Sequence, residues 1–207
     1  GKAVHMMDIH AEKGMQCADC HFAQDAHGNG YIQGEVANAV EIGCKDCHGT
    51  ADALPNLLTS NVAARPQGTN LALLRNPDGR RRFEFQYNDN GDVTGLIQRS
   101  IVDPGLRWEV RLTKDGVDPA SPHFSLKSAR AKLMSRSGAL DGKFGFGPGV
   151  PKSDLAHKES EMACFTCHLS WTTSCGGCHL PVEANWQAES HRAEGGTTRN
   201  YATYNPQ

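Results

Sequence analysis

The sequence predicts a mostly irregular chain with short α-helices and one small antiparallel β-sheet at about residues 82–113. Three observations predict it. Hydrophobic residues make up only 38% of 207, while 22 glycines and 10 prolines scatter turns along the chain. Apolar–polar alternation occurs in one block, beginning at Phe83. Four copies of C-x-x-C-H use all eight cysteines, so whatever those motifs hold must supplement a scarce core.

Taken in order, residues 2–16 predict a short helix leading to the first motif, with Met6, Ile9, His10 and Lys13 on one face. His5 and His10 lie about 140° apart around that helix and so look in different directions. The glycines at 28 and 30 mark a tight loop that carries His27. Glu35–Ile42 predicts a helical turn or two before the second motif. Residues 50–78, with Pro55, Pro66 and Pro77, predict loops. The basic run Arg80–Arg82 reads either as a contact for acidic groups or as a solvated strand start. F-E-F-Q-Y, then V-T-G-L-I-Q-R-S-I-V after the turn N-D-N-G-D, then R-W-E-V-R-L after D-P-G, predict three strands. An exposed edge of that sheet could pair with another subunit. Ser121–Gly138 predicts a helix capped by Ser125 or Ser128 and ended by Gly138. Residues 141–151 predict a Gly/Pro linker with Phe144 and Phe146 tucked inward. Asp154 is expected to cap a helix running into the third motif, which would put His157 and Cys164 on one face. The polar tail, with Tyr201 and Tyr204, is expected to be mobile unless it packs on something.

C-x-x-C-H is the attachment signature of a c-type haem. Cys17, Cys20, Cys44, Cys47, Cys164, Cys167, Cys175 and Cys178 are expected to form thioethers to four covalent haem c groups. His21, His48, His168 and His179 are expected to bind the irons as proximal ligands. Paired C-x-x-C is also zinc spacing. With ten histidines in the chain, however, a histidine following all four pairs by chance has odds of about 1 in 100,000. The organisation is an N-terminal dihaem module (1–60), a haem-free insert with the sheet and one helix (61–150), and a C-terminal dihaem module with the tail (151–207). The third and fourth motifs, Cys164–His179, stand so close that their haems must be neighbours.

The sixth ligand of each iron decides function. Four positions face six remaining histidines, His5, His10, His27, His123, His157 and His191. Met6, Met7, Met15, Met134 and Met162 are the competing ligands. Bis-histidine ligation is the simplest use of the histidine excess. The surplus leaves room for one histidine to ligate a haem in a neighbouring subunit, for which His5 is the best placed.

The four motifs together resemble multihaem c-type cytochromes. The segments D-I-H-A-E-K-G-M-Q-C-A-D-C-H, Q-D-A-H-G-N-G, C-F-T-C-H-L-S-W-T-T-S-C-G-G-C-H-L-P and R-N-Y-A-T-Y-N-P-Q look like the N-terminal part of large exported multihaem cytochromes of bacteria that respire with extracellular or metal acceptors. In that family the chain commonly continues with further motifs, so ending at Gln207 suggests a trimmed product or a shorter relative. By haem count and size the chain is also similar to subunits of extracellular cytochrome filaments. The resemblance implies a multihaem cytochrome c fold, redox partner proteins or an extracellular electron acceptor, and assembly into a homo-oligomer or filament.

A formal charge of −2 gives no signal for nucleic acid, and no apolar run approaches the ~20 residues of a membrane span. Covalent haem attachment points to an exported protein, periplasmic, at the cell surface or extracellular, whose signal has been removed. The function expected is electron transfer without an enzymatic step. The alternative is a multihaem reductase of a small nitrogen or sulfur oxyanion. It would need one haem with an open distal face; all four motifs end in His, so none marks a specialised haem.

Overall fold

The computed structural model describes residues 9–22, 25, 28–34, 36–140, 143–164, 168, 182–183, 187, 196–197 and 201–202. His5, His27, His191, Cys167 and the whole fourth motif lie outside the described residues, as do residues 1–8 of the helix expected at the N-terminus. What is described of that helix is short: α1 covers Ile9–Glu12, and Gly14, at φ 94°, turns the chain before the first motif. The first two motifs each form their own short helix, α2 at Cys17–Cys20 and α3 at Cys44–His48. Between them, Val36–Ala39 makes a 3-10 turn.

The expected loops at 50–78 carry a 3-10 turn, Leu71–Leu73, capped by the Asn70 side chain. The three strands lie within the alternating block: β1 Phe83–Tyr87, β2 Val93–Arg99 and β3 Arg107–Glu109. Their order is β1-β2-β3, antiparallel throughout, with Phe83 opposite Gln98 and Ile97 opposite Glu109. β1 and β3 are therefore the edges. The turn predicted at N-D-N-G-D closes with Asn88 N–H donating to the Asp92 carbonyl at 3.0 Å.

Beyond the sheet the sequence-based expectations need correction. The helix expected over Ser121–Gly138 is α5, Leu126–Lys132, capped as expected by the Ser125 hydroxyl, which accepts from Ser128 N–H at 3.4 Å. A further helix, α4 at Thr113–Val117, precedes it. Residues from Met134 to Leu140 are strand β4, paired with β5 at Lys143–Phe146 inside the expected linker. The reason is tertiary. The Met134 carbonyl accepts from Ala156 N–H at 2.9 Å and the Leu133 carbonyl from Gly147 N–H at 3.0 Å, so these groups bond across the fold rather than up a helix. Gly138 does not end the helix; it sits within β4 at φ 81°.

Asp154 caps no helix. Its carboxylate takes the hydroxyls of Ser135 and Ser137 and the Ser137 N–H. Only a 3-10 turn, Lys152–Asp154, forms there, and Leu155 bridges to Ser135. The shared helical face of His157 and Cys164 is therefore lost. Two residues of the tail, Tyr201–Ala202 (β7), pair antiparallel with Val182–Glu183 (β6) and lie beside α1.

The core joins the motifs to the insert. Phe22 and Cys47, from the first and second motif regions, pack in one buried cluster with Leu57, Leu71, Phe83, Leu96, Val110 and Leu112. Burying an aliphatic or aromatic side chain is worth about 1.5–3 kcal/mol, so the sheet and the motif helices stabilise one another.

Candidate haem sites

The second position after the first cysteine is Asp in both C-A-D-C-H and C-K-D-C-H, and this is what anchors the first two motifs. Asp19 is fully buried. One of its oxygens, Oδ2, accepts from Gln16 N–H at 2.9 Å and Ser100 Oγ–H at 3.1 Å, and Oδ1 accepts from Ile101 N–H at 2.8 Å. Asp46, also buried, repeats the device. It accepts from Gly43 N–H at 2.7 Å, Ser60 N–H at 2.8 Å and Ser60 Oγ–H at 2.6 Å. In each case the carboxylate satisfies an orphan N–H at the helix start and ties the motif to a serine from elsewhere in the chain. The repeated Asp was legible in the sequence; its serine partners were not.

The sheet closes the other end of α2. Gln98 Nε2–H donates to the Asp19 carbonyl at 2.9 Å and Arg82 Nη1–H to the Ala18 carbonyl at 3.4 Å, satisfying carbonyls the short helix leaves unpaired. Arg82 is buried, stands 6.0 Å from the Phe22 ring centre and donates through Nε to Asn76. The basic run is thus neither a solvated strand start nor an acidic-partner contact at Arg82. Arg80 and Arg81 do stay at the surface, bonded to Asp78 and Pro104 and to Ala72. Trp108 Nε1–H donates to the Lys13 carbonyl at 2.8 Å, holding the segment between α1 and α2.

The histidines divide by what their rings meet. His48 Nδ1 lies 2.7 Å from the Arg111 carbonyl. Since a carbonyl only accepts, Nδ1 carries the proton and Nε2 keeps a lone pair for a metal. His21 Nδ1 pairs at 2.9 Å with Asp25, whose carboxylate also accepts from Phe22 N–H at 2.8 Å. His157 Nδ1 bonds to the Ala131 carbonyl in the last turn of α5. All three have the second-sphere partner that fixes a ligating imidazole. Burial lowers the His48 pKa below the ordinary range against the bond to Arg111, and the neighbouring His10 and His168 add to that lowering. His123 differs. Its Nδ1 accepts from Arg111 Nη1 at 2.6 Å and its Nε2 lies 3.2 Å from Glu109, so neither ring nitrogen is left for a metal in this arrangement.

Three motifs converge. Cys44 and Cys164 lie close enough for their thiols to interact, which raises the pKa of Cys44 and, with Lys132 helping, lowers that of Cys164. Burial, with the nearby Cys20 and Asp46, raises Cys47. Cys20 also lies 3.9 Å, sulfur to sulfur, from Met15. The His10 and His48 ring centres are 6.0 Å apart, with planes inclined at 49°. Glu41, just before the second motif, is fully buried; Oε1 accepts from Thr59 at 3.1 Å, while Oε2 has no partner among the described residues. Among the described residues no three His, Cys, Asp or Glu side chains gather into a site for a bare metal ion. Cys17 and Cys20 with His21, and Cys44 and Cys47 with His48, are the residues that would hold a haem at the first two motifs; Cys164 and His168 are the described part of the third motif.

No helix among the described residues is long and apolar enough to cross a membrane. Comparison with protein-family models, with curated proteins and with solved structures finds no match.

Proposed function

We propose that this chain is an exported electron-transfer protein carrying four covalent haem c groups with bis-histidine ligation. It passes electrons between them without enzymatic chemistry of its own. When bound, haem supplies reversible one-electron chemistry at iron. The protein's part is to fix the ligands, exclude water from the buried faces and keep the sites close together. The reading is supported by the four C-x-x-C-H motifs together with the closeness of Cys44 and Cys164, whose thiols interact. These sulfurs belong to the second and third motifs, one before and one after the haem-free insert, so groups tied to them are neighbours. The two halves then form one path for electrons within a single chain. Redox partner proteins or an extracellular acceptor would stand at its ends, and assembly of copies into a homo-oligomer or filament would extend it.

Intact mass of the natively exported protein should show four haems, and its ferric EPR spectrum only low-spin iron. A high-spin signal from one haem in four that responds to nitrite or cyanide would overturn the conduit in favour of a reductase. Sedimentation as a monomer at high concentration, with no fibres in micrographs, would remove the assembly part alone.

A further inference from the structure

His10 and His48 come from the two sides of the first motif. His10 lies on α1, before Cys17, and His48 is the last residue of α3. A ring-centre distance of 6.0 Å fits an ordinary aromatic contact, which spans about 4.5–7 Å. It also fits two imidazoles opposed across one metal: with bonds of about 2.0–2.1 Å to each ring nitrogen, the ring centres fall about 6 Å apart. What separates the two is how the rings are held. His48 is oriented by Arg111 so that Nε2, not Nδ1, is its coordinating nitrogen. On the His10 side it is the main chain that is held: the His10 carbonyl accepts from Met15 N–H at 3.0 Å, and the turn that follows is pinned by Trp108 on Lys13. The His48 ring and the His10 backbone are thus both positioned by residues 108–111 or the turn they pin. Of the other described distal candidates, His123 has both nitrogens engaged.

We infer that His10 and His48 are the two axial ligands of a single iron, that of the haem attached to Cys44 and Cys47. The inference rests on the haem reading proposed above. It makes the first two motifs interlocked: the segment that precedes the first attachment site completes the second.

The test is His10→Ala in the full exported chain, with His123→Ala beside it. Intact mass should still give four haems for each. His10→Ala should convert one haem of the four to high spin in EPR and absorption spectra, and added imidazole should return it to low spin. His123→Ala should leave all four low-spin. In a Cys44→Ser/Cys47→Ser background, which lacks the second haem, His10→Ala should produce no high-spin iron. His10→Met, a milder change, should instead raise the potential of one haem. The pairing is overturned if His10→Ala leaves every haem low-spin, or if its high-spin signal persists in the Cys44→Ser/Cys47→Ser background. A wild-type chain without haem by mass overturns the underlying functional reading instead.

Discussion

Asp19 and Asp46 show how much one side chain holds at these sites. Each places a buried carboxylate under three donors, two of which come from its own helix start and a distant serine. Removing a buried acceptor costs about 1–3 kcal/mol for each donor left unpaired. Asp46→Ala should therefore lower unfolding free energy by about 3 kcal/mol or more in chemical denaturation, whereas Asp46→Asn, which keeps one acceptor oxygen, should lose less. Gly49 is a second sensitive position. It follows His48 at φ 66°, and a Cβ there would stand 2.5 Å from the Ala53 carbonyl oxygen. Gly49→Ala should destabilise by more than the ~1 kcal/mol of an ordinary glycine replacement and disturb the His48 ring, which on the proposed haem reading shows as a change in the spectrum of one haem. At this scale the sequence displayed the Asp repeated within C-A-D-C-H and C-K-D-C-H, the residue each motif helix is anchored by. It was silent on Ser60, Ser100 and the Arg111 carbonyl. A serine or a main-chain oxygen has no sequence signature, and these lie far along the chain from the groups they hold.

Among the elements, the haem-free sheet proves to be the cradle of the first motif: Gln98, Ser100 and Trp108, with Arg82 at its entry, reach α2 and the turn before it. Trp108→Phe should keep the ring and lose only the bond to Lys13, costing about 1 kcal/mol and increasing hydrogen exchange at residues 9–16. The strands were legible because alternation and turn residues are local signals. β4 was not, since the apolar spacing of Leu133 and Met134 suits a helix face equally well, and only pairing with Phe146 and Ala156 decides. The helix expected after Asp154 failed for a related reason: the capping side chain was taken by Ser135 and Ser137.

The segment around residues 152–161 is held largely by surface charge. Lys152 and Thr50 hold Asp52 below the usual carboxylate range, Ser135 and Ser137 do so for Asp154, and Lys158 and Arg136 for Glu161. A carboxyl whose folded pKa is depressed contributes fully above its unfolded value of about 4 and loses that contribution as pH falls further. Exposure keeps each contribution small. Protection from hydrogen exchange at residues 152–161, taken relative to the intrinsic rate at each pH, should accordingly fall below about pH 4 while that of the three-stranded sheet holds.

At the largest scale, the described residues share one core. Phe22 and Cys47 pack with residues from Leu57 to Leu112, so the segment with the first two motifs draws its packing from the insert. A fragment ending at residue 60 should lack cooperative unfolding by circular dichroism and be cut rapidly by protease. The full chain should resist at the same positions. The three-part division read from motif spacing follows where the chemistry is attached. Packing follows the apolar residues, and these run across that division.

The Asp clamps also impose an order in time. Ser60, Ser100, Ile101 and Arg111 all follow the motifs they secure, so a chain emerging from its N-terminus presents Cys17–His21 and Cys44–His48 before their partners exist. Once the fold closes, the Cys47 sulfur is buried. On the proposed reading, then, thioether formation at Cys47 requires that sulfur to be exposed, so closing of the serines over Asp19 and Asp46 would follow attachment.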